Sequence, residues 1–429
     1  MSLPHSRRDV LRVGSALLSG GLGGCILESD STSTTPTGWE PTETPAATPR
    51  DPKPLSVSGD WSTHQFDLGN TGHAPDATGV PDDGRPYWHV RSRHRGGGPG
   101  PAIVGGTLVV EGQSSEKGET VYARNARAGA IEWEGTPGLG ISRTPTVEDG
   151  MLYVSSGGIS AIDVANGQLD WQLSFPPEYV GSGMTTLLEG TVYAMATTFD
   201  GPSFVYAIDA TTGEKQWDRE LPAVESLGSI AVEGERLFLP TNEAVHALDR
   251  ATGESLWQFD LTLKTYFSTP TVSSGSVYVR DREGRVYAIS TTEGTERWRT
   301  DPFEGQVGDV AVADETVFLG ARDGLHAIDT TDGTERWAYG TDSISNSELP
   351  VGAPSVGEAT VYVSGIDDDP RFYAVDATTG EERWSWSLPN IVIEGDIDTG
   401  GAMSPPTVVD DGVFIHAADG IYAFGPRDE

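Results

Sequence analysis

The side chains best suited to binding an anion gather just after residue 90. The set consists of Arg91, Arg93, His94 and Arg95, with Arg143 and Lys264 at comparable positions later in the chain. Because guanidinium groups bind carboxylates and phosphates through charge-assisted hydrogen bonds, this cluster predicts a site for an anionic ligand or an acidic peptide. The alternative is that these cations pair with carboxylates of the chain itself, and the sequence leaves both interpretations open.

Carboxylates and one aromatic segment are the other candidates for chemistry. Asp367–Asp369 and the acids between residues 394 and 398 offer the oxygen ligands that calcium takes, although acidic runs also form ordinary solvated surfaces. The segment from Phe175 to Tyr179 offers exposed aromatic rings for a peptide contact, unless it packs over the strands beside it. No residue fits a catalytic motif, and no metal site is predicted.

The charge balance excludes one class of partner. The chain has 64 acidic and 28 basic residues, for a formal net charge of −36, and only four of the basic residues are lysines. A basic footprint for nucleic acid is therefore absent. The acid excess is spread through the whole chain, which predicts a solvated surface that stays soluble at high salt. In its low lysine content and abundant Asp, Glu and Thr, the composition is similar to that of haloarchaeal proteins.

The N-terminal segment predicts export and lipid anchoring. Arg7 and Arg8 precede a weakly apolar run, and the sequence LGGC then ends at Cys25, the single cysteine of the chain. Paired arginines before such a run are typical of a twin-arginine export signal, and LGGC resembles a lipobox whose cysteine is lipidated. We therefore expect residues 1–25 to be a lipoprotein signal that anchors the protein at the outer face of the cytoplasmic membrane. The alternative is a short buried helix with an incidental cysteine.

A repeated motif organises the rest of the chain. It is clearest at Val205–Trp217, VYAIDATTGEKQW, and recurs with three positions at fixed offsets. The alanines are Ala123, Ala161, Ala207, Ala247, Ala288, Ala327 and Ala374. The glycines are Gly129, Gly167, Gly213, Gly253, Gly294, Gly333 and Gly380. The tryptophans are Trp133, Trp171, Trp217, Trp257, Trp298, Trp337 and Trp384. Seven copies in one register identify a repeat protein.

The repeats predict an all-β fold, an eight-bladed β-propeller of four-stranded antiparallel blades. Each repeat reads as four short strands rich in β-branched and aromatic residues, separated by Gly and Asp turns. Trp88 has no alanine motif before it, and Ala423 has no tryptophan after it. We therefore expect the N-terminal strand to join the C-terminal blade and close the ring. The predicted organisation is a disordered tether at 26–58, an irregular lead-in at 59–84 against the propeller edge, and the propeller at 85–425.

The repeated positions have structural roles in this interpretation. The alanine suits close approach between sheets, and the aspartate, as in Asp209 or Asp329, can accept hydrogen bonds from amides of the following turn. The glycine supplies a positive φ in that turn. The eight tryptophans, Trp88 included, are expected to dock one blade onto the next and to donate their indole N–H to a backbone carbonyl.

The Ala-x-Asp-x-x-x-Gly-x-x-x-Trp turn resembles that of the pyrroloquinoline quinone (PQQ)-like repeat family of eight-bladed propellers. The resemblance implies two functional branches. BamB-like lipoproteins are non-catalytic scaffolds, whereas quinoprotein dehydrogenases bind PQQ and calcium, carry an adjacent cysteine pair and are longer. With one cysteine and no catalytic motif, this chain favours a non-catalytic, monomeric binding propeller without cofactor, whose partner is a protein or peptide at the cell surface. The alternative is a PQQ- and calcium-dependent dehydrogenase with a divergent site.

Loop lengths predict the binding face. The spacing of successive tryptophans varies from 38 to 47 residues, and the extra residues fall after the fourth strand or between the second and third. In a four-stranded antiparallel blade these two connections lie on the same side of the ring. Because insertions on one face commonly mark a binding surface, we expect that face to carry any partner contact.

Overall fold

The structure is a computed structural model that describes most of the propeller region. The described residues are 55–91, 100–114, 118–135, 144–155, 157–176, 179–198, 201–222, 228–261, 269–303, 307–340, 352–365, 370–389, 391–393, 396–398 and 404–427. Arg7, Arg8 and Cys25, and with them the predicted export signal and lipidation site, lie outside the described residues. Within these ranges no helix has the length and apolarity needed to cross a membrane.

All regular elements of the described residues are β-strands, and they form eight antiparallel blades. The N-terminal strand is β1 (Arg85–Arg91). Blade 1 comprises β2 (Ala102–Val104), β3 (Thr107–Ser114), β4 (Gly118–Asn125) and β5 (Ile131–Gly135). Blade 2 comprises β6 (Thr146–Glu148), β7 (Met151–Ser155), β8 (Gly158–Asp163) and β9 (Leu169–Ser174). Blade 3 comprises β10 (Tyr179–Ser182), β11 (Thr186–Leu188), β12 (Thr191–Thr198), β13 (Ser203–Asp209) and β14 (Lys215–Leu221). Blade 4 comprises β15 (Ala231–Glu233), β16 (Arg236–Pro240), β17 (Ala244–Asp249) and β18 (Ser255–Asp260).

The second half of the ring repeats the same unit. Blade 5 comprises β19 (Thr271–Ser273), β20 (Ser276–Arg280), β21 (Val286–Ser290) and β22 (Glu296–Arg299). Blade 6 comprises β23 (Val307–Ala313), β24 (Thr316–Ala321), β25 (Gly324–Asp329) and β26 (Glu335–Tyr339). Blade 7 comprises β27 (Ser355–Val356), β28 (Thr360–Ser364), β29 (Arg371–Asp376) and β30 (Glu382–Ser387), and the hairpin β31 (Ile391–Ile393) and β32 (Asp396–Asp398) follows it. Blade 8 comprises β33 (Thr407–Val409), β34 (Gly412–Ala417), β35 (Gly420–Gly425) and β1.

The arrangement confirms the predicted all-β, eight-bladed propeller. In blades 1 to 7 the strands pair in sequence order from the first to the fourth, and β10 adds a second partner to β12 in blade 3. In blade 8 the order is β33, β34, β35 and β1. First strands of neighbouring blades contact one another, for example β19 with β15 and with β23. The first strands therefore surround the axis of the ring, and the fourth strands lie outermost.

One face of the ring has uniform turns and the other does not. On the uniform face, called the lower face here, two residues join the first and second strands in seven blades, and five residues join the third and fourth strands in blades 1 to 7. Both turn residues have positive φ in blade 2, at Asp149 (51°) and Gly150 (77°), as a type I′ hairpin requires. On the opposite, upper face, the hairpins between second and third strands have two to six residues. The links between blades also vary there, as the sequence predicts.

The ring closes through the two ends of the described chain. Strand β1 pairs antiparallel with β35, and Trp88 lies opposite Ala423. In blade 1 Ala123 lies opposite Trp133 in the same register. The predicted closure of the ring is therefore confirmed, including the pairing of Trp88 with Ala423.

The repeated tryptophans dock each blade onto the next, as predicted. Each indole N–H donates to a backbone carbonyl three residues after the repeat alanine of the next blade. The pairs are Trp88 to Ala126, Trp133 to Val164, Trp171 to Ala210, Trp217 to Arg250, Trp257 to Thr291, Trp298 to Thr330 and Trp337 to Ala377, at 2.5–3.2 Å. The same rings lie against the turn glycines, and all eight repeat alanines are fully buried. The aspartates bind turn amides as expected, since Asp209 accepts from Thr211 and Thr212.

The eighth junction uses a different partner. By the repeat rule, Trp384 should donate to the carbonyl of Pro426, but it donates to that of Val80 at 2.7 Å. A Cβ placed on Gly84 would lie 2.3 Å from Cζ2 of the same indole, so Gly84 takes the place of the missing turn glycine. The lead-in thus supplies the docking surface that the end of blade 8 lacks.

Residues 61–79 of the lead-in do not lie against the propeller edge, and the prediction is wrong for them. Backbone hydrogen bonds join residues 61–79 to the first strands of seven blades. They include Trp61 with Ile103, Ser62 with Val147, Leu68 with Val232, Gly69 with Val272, Thr71 with Val312, Gly72 with Val356, and Gly79 with Val409. His64, Gln65 and Asn70 are buried along this path. The lead-in therefore fills the lower end of the central channel. It forms hydrogen bonds with backbone N–H and C=O groups of the first strands.

Residues 55–58 of the predicted tether pack against the propeller. Leu55 and Val57 are 1% and 4% exposed and belong to the hydrophobic core around blade 8. A Cβ on Gly425 would lie 2.4 Å from Leu55 Cδ1, which shows how closely this leucine covers β35. Residues 55–58 therefore pack with the propeller because their apolar side chains find a surface there.

Candidate functional site

The wall of the channel is held by hydroxyl groups on the first strands. Thr146 donates to the carbonyl of Thr185 in the next blade at 2.6 Å, and Thr186 donates to that of Ile230 at 2.8 Å. Blade 4 has Ala231 at this position. There Asn70 of the lead-in donates instead to Pro270, the acceptor in the next blade, at 3.1 Å. The polar groups of the wall thus hold the ring together, and because the lead-in occupies the lower end of the channel, the upper face is the candidate binding surface.

An ion pair links the upper end of β20, the second strand of blade 5, to β23, the first strand of blade 6. Arg280 Nε lies 3.8 Å from Asp309 Oδ1, and their side chains are 14% and 17% exposed. The amide of Thr269 also donates to Asp309 Oδ1, at 3.1 Å. Burial raises the pKa of the Asp309 carboxyl, and the charge of Arg280 opposes that rise. The pair joins blade 5 to blade 6 near the upper face.

The described residues supply no calcium site of the kind that the dehydrogenase branch implies. Among them, no group of three or more His, Cys, Asp or Glu side chains is placed to hold a metal ion. Calcium takes six or more oxygen ligands, whereas Asp309 is already engaged by Arg280 and Thr269. Asp367–Asp369 lie outside the described residues.

Of the basic set predicted from the sequence, the structure describes only Arg91. It lies exposed at the upper end of β1, on the predicted face. Arg93, His94, Arg95, Arg143 and Lys264 lie outside the described residues. The predicted anion site at the first blade therefore stays a prediction.

Beside Arg91, a histidine, an aspartate and a tyrosine join the two termini of the propeller. His89 Nε2 lies 3.2 Å from Asp419 Oδ2, and Tyr422 donates to the same oxygen at 2.8 Å. The rings of His89 and Tyr422 stack with centroids 4.0 Å apart. Burial lowers the pKa of His89, although the charge of Asp419 opposes this.

This burial predicts a loss of stability in mild acid. A histidine whose folded pKa lies below its unfolded value near 6.5 binds fewer protons in the native state, so stability falls as pH drops from 7 to 5. His89→Gln should therefore flatten the dependence of the free energy of unfolding on pH in this window, measured by urea titration. His246 in blade 4 is shifted in the same direction by burial, so His246→Gln should do the same independently. An undiminished slope in both variants would contradict this.

Tyr179 lies on the upper face and is half-buried. Its hydroxyl accepts a hydrogen bond from Tyr206 at 3.0 Å, and its ring packs on Phe175 and Phe204. Phe175 is only 7% exposed. The rings of Phe175 and Tyr179 pack over their own blade, where β10 pairs with β12, and a peptide contact by this segment stays a prediction.

A cleft at the upper rim of blade 5 was missed by sequence reasoning. It has a volume of about 360 Å³ and is lined by Arg285, Tyr287, Arg299, Thr300 and Asp301. Its arginines belong to an arginine-rich stretch, since five arginines fall between residues 280 and 299. This density of arginines could have pointed to the cleft. The sequence does not show, however, that the upper hairpin and the fourth strand of blade 5 bring Arg285 and Arg299 together.

Several carboxylates of the upper hairpins are bonded to a ring on the following strand. Asp281 accepts from the hydroxyl of Tyr287, as Asp419 does from that of Tyr422. Asp323 Oδ1 lies 3.2 Å from Nε2 of His326. These acids hold the hairpins in place, and each has a structural role.

The sequence of the propeller matches the profile of one protein family. The profile of the family described as outer membrane protein assembly factor BamB matches residues 77–237, 241–363 and 343–425. The chain belongs to the BamB family. BamB of Salmonella typhimurium is 26% identical over 332 residues, covering 61% of this chain and 82% of that protein. The serine/threonine-protein kinase AfsK of Streptomyces griseus is 30% identical over 187 residues, which cover 40% of this chain and 22% of the kinase.

Solved structures share the fold of this BamB-family chain. The quinohemoprotein alcohol dehydrogenase of Comamonas testosteroni superposes with a TM-score of 0.67 at 15% identity, covering 87% of this chain and 82% of that one. The computationally designed protein Ika8 superposes with a TM-score of 0.59 at 15% identity, covering 78% and 100%. At such identities the likeness shows the propeller alone, since one fold serves many functions.

Proposed function

We propose that this BamB-family propeller is a non-catalytic, protein-binding module whose upper face contacts its partner. The observation that carries the proposal is the asymmetry of the ring. The lower face has uniform short turns and the lead-in fills its channel end, whereas the variable loops all open onto the upper face. Variable loops on a rigid scaffold are the usual place for recognition. Relatives that are named assembly factors support a protein as the partner.

The polar groups of the upper rim support binding over catalysis. Asp281, Asp323 and Asp419 are held by rings on the next strand, and Asp309 is paired with Arg280. A general base needs a carboxylate or imidazole within reach of a substrate proton, and these groups are occupied in the fold. The twin-arginine and lipobox sequences at Arg7, Arg8 and Cys25 add the proposal that the module is exported and anchored by lipid at the outer face of the cytoplasmic membrane.

The choice of face can be tested within one blade. Arg322 lies in the upper hairpin of blade 6 and Thr331 in its lower turn, and both are exposed. A photo-crosslinking residue at Arg322 should capture protein from native membranes, whereas one at Thr331 should capture little. Equal capture from both positions would contradict the assignment of the face. Steady dye reduction by the purified protein with PQQ, calcium and an alcohol would contradict the non-catalytic function itself.

A further inference from the structure

We propose that the inner edge of β3 binds an extended segment of the partner protein, which adds to blade 1 as a strand antiparallel to β3. The inference rests on the proposed function and names how the partner engages the upper face. The site, called the β3 edge here, is the backbone of Val110–Ser114, the upper part of this strand. The first strand of the blade pairs only with Thr107–Val109, and among the described residues no strand pairs with the β3 edge.

The backbone N–H and C=O groups of Glu111 and Gln113 point away from β4, along the β3 edge. In β2, Ile103 exchanges backbone hydrogen bonds with the lead-in, so its neighbour Ala102 faces β3. Ala102 lies opposite Val109, whose backbone groups therefore face β2. Because this direction alternates along a strand, the alternate residues above Val109 face the same side. Glu111 and Gln113 each offer one donor and one acceptor to an added strand.

Blades 3 and 6 show that a strand fits this edge of a blade. In blade 3, β10 pairs antiparallel with the upper part of β12, including Thr197. The N–H of Gly183 also donates to the carbonyl of Met195 at 2.8 Å. Met195 corresponds to Glu111, since each lies two residues after the residue opposite the repeat alanine. Thr197 corresponds in the same way to Gln113. In blade 6 the first strand itself extends to the upper end of β24.

The sequence that precedes β2 is poorly suited to cover the β3 edge. The N–H groups of Gly183 in blade 3 and Gly352 in blade 7 donate to their second strands at 2.8 and 3.0 Å. Their counterpart in blade 1 is Pro99, which has no N–H to donate. Gly96–Gly98 comes just before it, and glycine is depleted in strands. Residues 92–99 lie outside the described residues, and their sequence favours an edge that is left to a partner.

Two observations indicate a partner protein, not a second copy of this chain, as the occupant. The β3 edge lies at the upper face, onto which the variable loops open. Each copy has a net charge of −36, so two copies repel each other unless salt screens them. Addition of a strand relies on backbone hydrogen bonds and needs no opposite charge, so the β3 edge suits an extended peptide despite the acidic surface.

The test uses the peptide YVGSGM, which copies residues 179–184 of blade 3, with acetylated and amidated ends. Fluorescence anisotropy with the full chain should show that it binds. N-methylation at the positions of Gly181 and Gly183, whose N–H groups face β12 in blade 3, should weaken binding at least about tenfold because two hydrogen bonds are lost. N-methylation at the positions of Val180 and Ser182, whose N–H groups face the other side, should leave the affinity unchanged.

Three variants test the same edge from the side of the protein. Gln113→Pro removes an N–H from the β3 edge and leaves the pairing with β4 in place, so peptide binding should fall at least about tenfold. Thr197→Pro is the matched control in blade 3, where β10 already pairs, and should lower stability but not peptide binding. The triple variant Gly96→Val/Gly98→Ser/Pro99→Gly copies the sequence of β10 into blade 1. It should cover the β3 edge with the chain's own strand and weaken peptide binding at least about tenfold without loss of stability, which misfolding cannot produce.

Hydrogen exchange measured by mass spectrometry shows whether the β3 edge is free. The amide of Gln113 should exchange quickly without the peptide and slowly with it, whereas that of Thr197 should stay protected in both states. Protection of Gln113 in the free protein would mean that the chain covers its own edge. Protection that rises with protein concentration would mean that a second copy does so. Either result would overturn the inference, as would equal affinity of the two methylated peptides.

A last comparison separates this inference from the proposed function. Crosslinking from Arg322 should capture a partner from the wild type, and the triple variant should capture much less of it. If the triple variant captures as much as the wild type, the β3 edge is excluded as the docking site and the proposed function stands.

Discussion

Replacing Trp384 by alanine is expected to destabilise the propeller by about 4 kcal/mol, the range for removing a large buried aromatic side chain. Its side chain is 7% exposed and donates to the carbonyl of Val80 at 2.7 Å. The ring packs on Phe372 and stacks on Phe424 with centroids 5.7 Å away. Because Val80 belongs to the lead-in, the substitution opens a cavity where blade 7, blade 8 and the lead-in meet.

The same strand provides a matched control for this prediction. Trp386 lies two residues further along β30 and is 37% exposed. The centroid of its ring lies 6.5 Å from that of Phe424. Trp386→Ala should therefore cost about 1 kcal/mol or less, because a partly exposed ring buries less area. Urea unfolding monitored by circular dichroism measures both variants, with equal m-values as the check that the midpoint shift reports stability. Comparable losses in the two variants would contradict a special role for Trp384 in closing the ring.

The blade was predictable from the sequence because its side-chain roles follow fixed offsets. Ala207 and Trp217 are ten residues apart, and that distance places them opposite each other across a five-residue turn. The same pairing explains why Trp88 and Ala423, although 335 residues apart, mark one blade. The fixed offsets within a repeat predict how its third and fourth strands pair. A repeat divided between the two ends of the chain predicts that these ends join in one blade.

The path of the lead-in could not be predicted from the same signals. Its contacts with the first strands are mostly backbone hydrogen bonds, such as Gly69 to Val272, and these leave no pattern in the side chains. Its side-chain and packing requirements, such as those of Asn70, Gln65 and Gly84, each occur at a single position and do not repeat along the chain. For the same reason the blade 5 cleft was missed, since its shape depends on how one hairpin lies beside the end of a fourth strand.

Gly213→Ala should cost about 3 kcal/mol, far more than the same change at Gly190. Both glycines have the same backbone conformation, with φ of 72° and 75°, so alanine at either position has the strain of a positive φ, about 1 kcal/mol. They differ in what surrounds them. A Cβ on Gly213 would lie 2.6 Å from Cε3 of Trp171, whereas one on Gly190 would have no atom within 4 Å.

The excess cost at Gly213 arises because Trp171 cannot move aside. Its indole N–H donates to the carbonyl of Ala210 in the same turn at 2.8 Å, so relief of the clash would lengthen that bond and separate blade 2 from blade 3. Parallel urea titrations give the free energy of unfolding of both variants. Because both have the same backbone strain, the difference between the two free energies reports only the contact between blades. Equal losses would mean that the glycine is needed only for its φ. A loss of stability at Gly213 larger than that at Gly190 by about 2 kcal/mol would show that the turn must have no side chain where the tryptophan of the preceding blade packs on it.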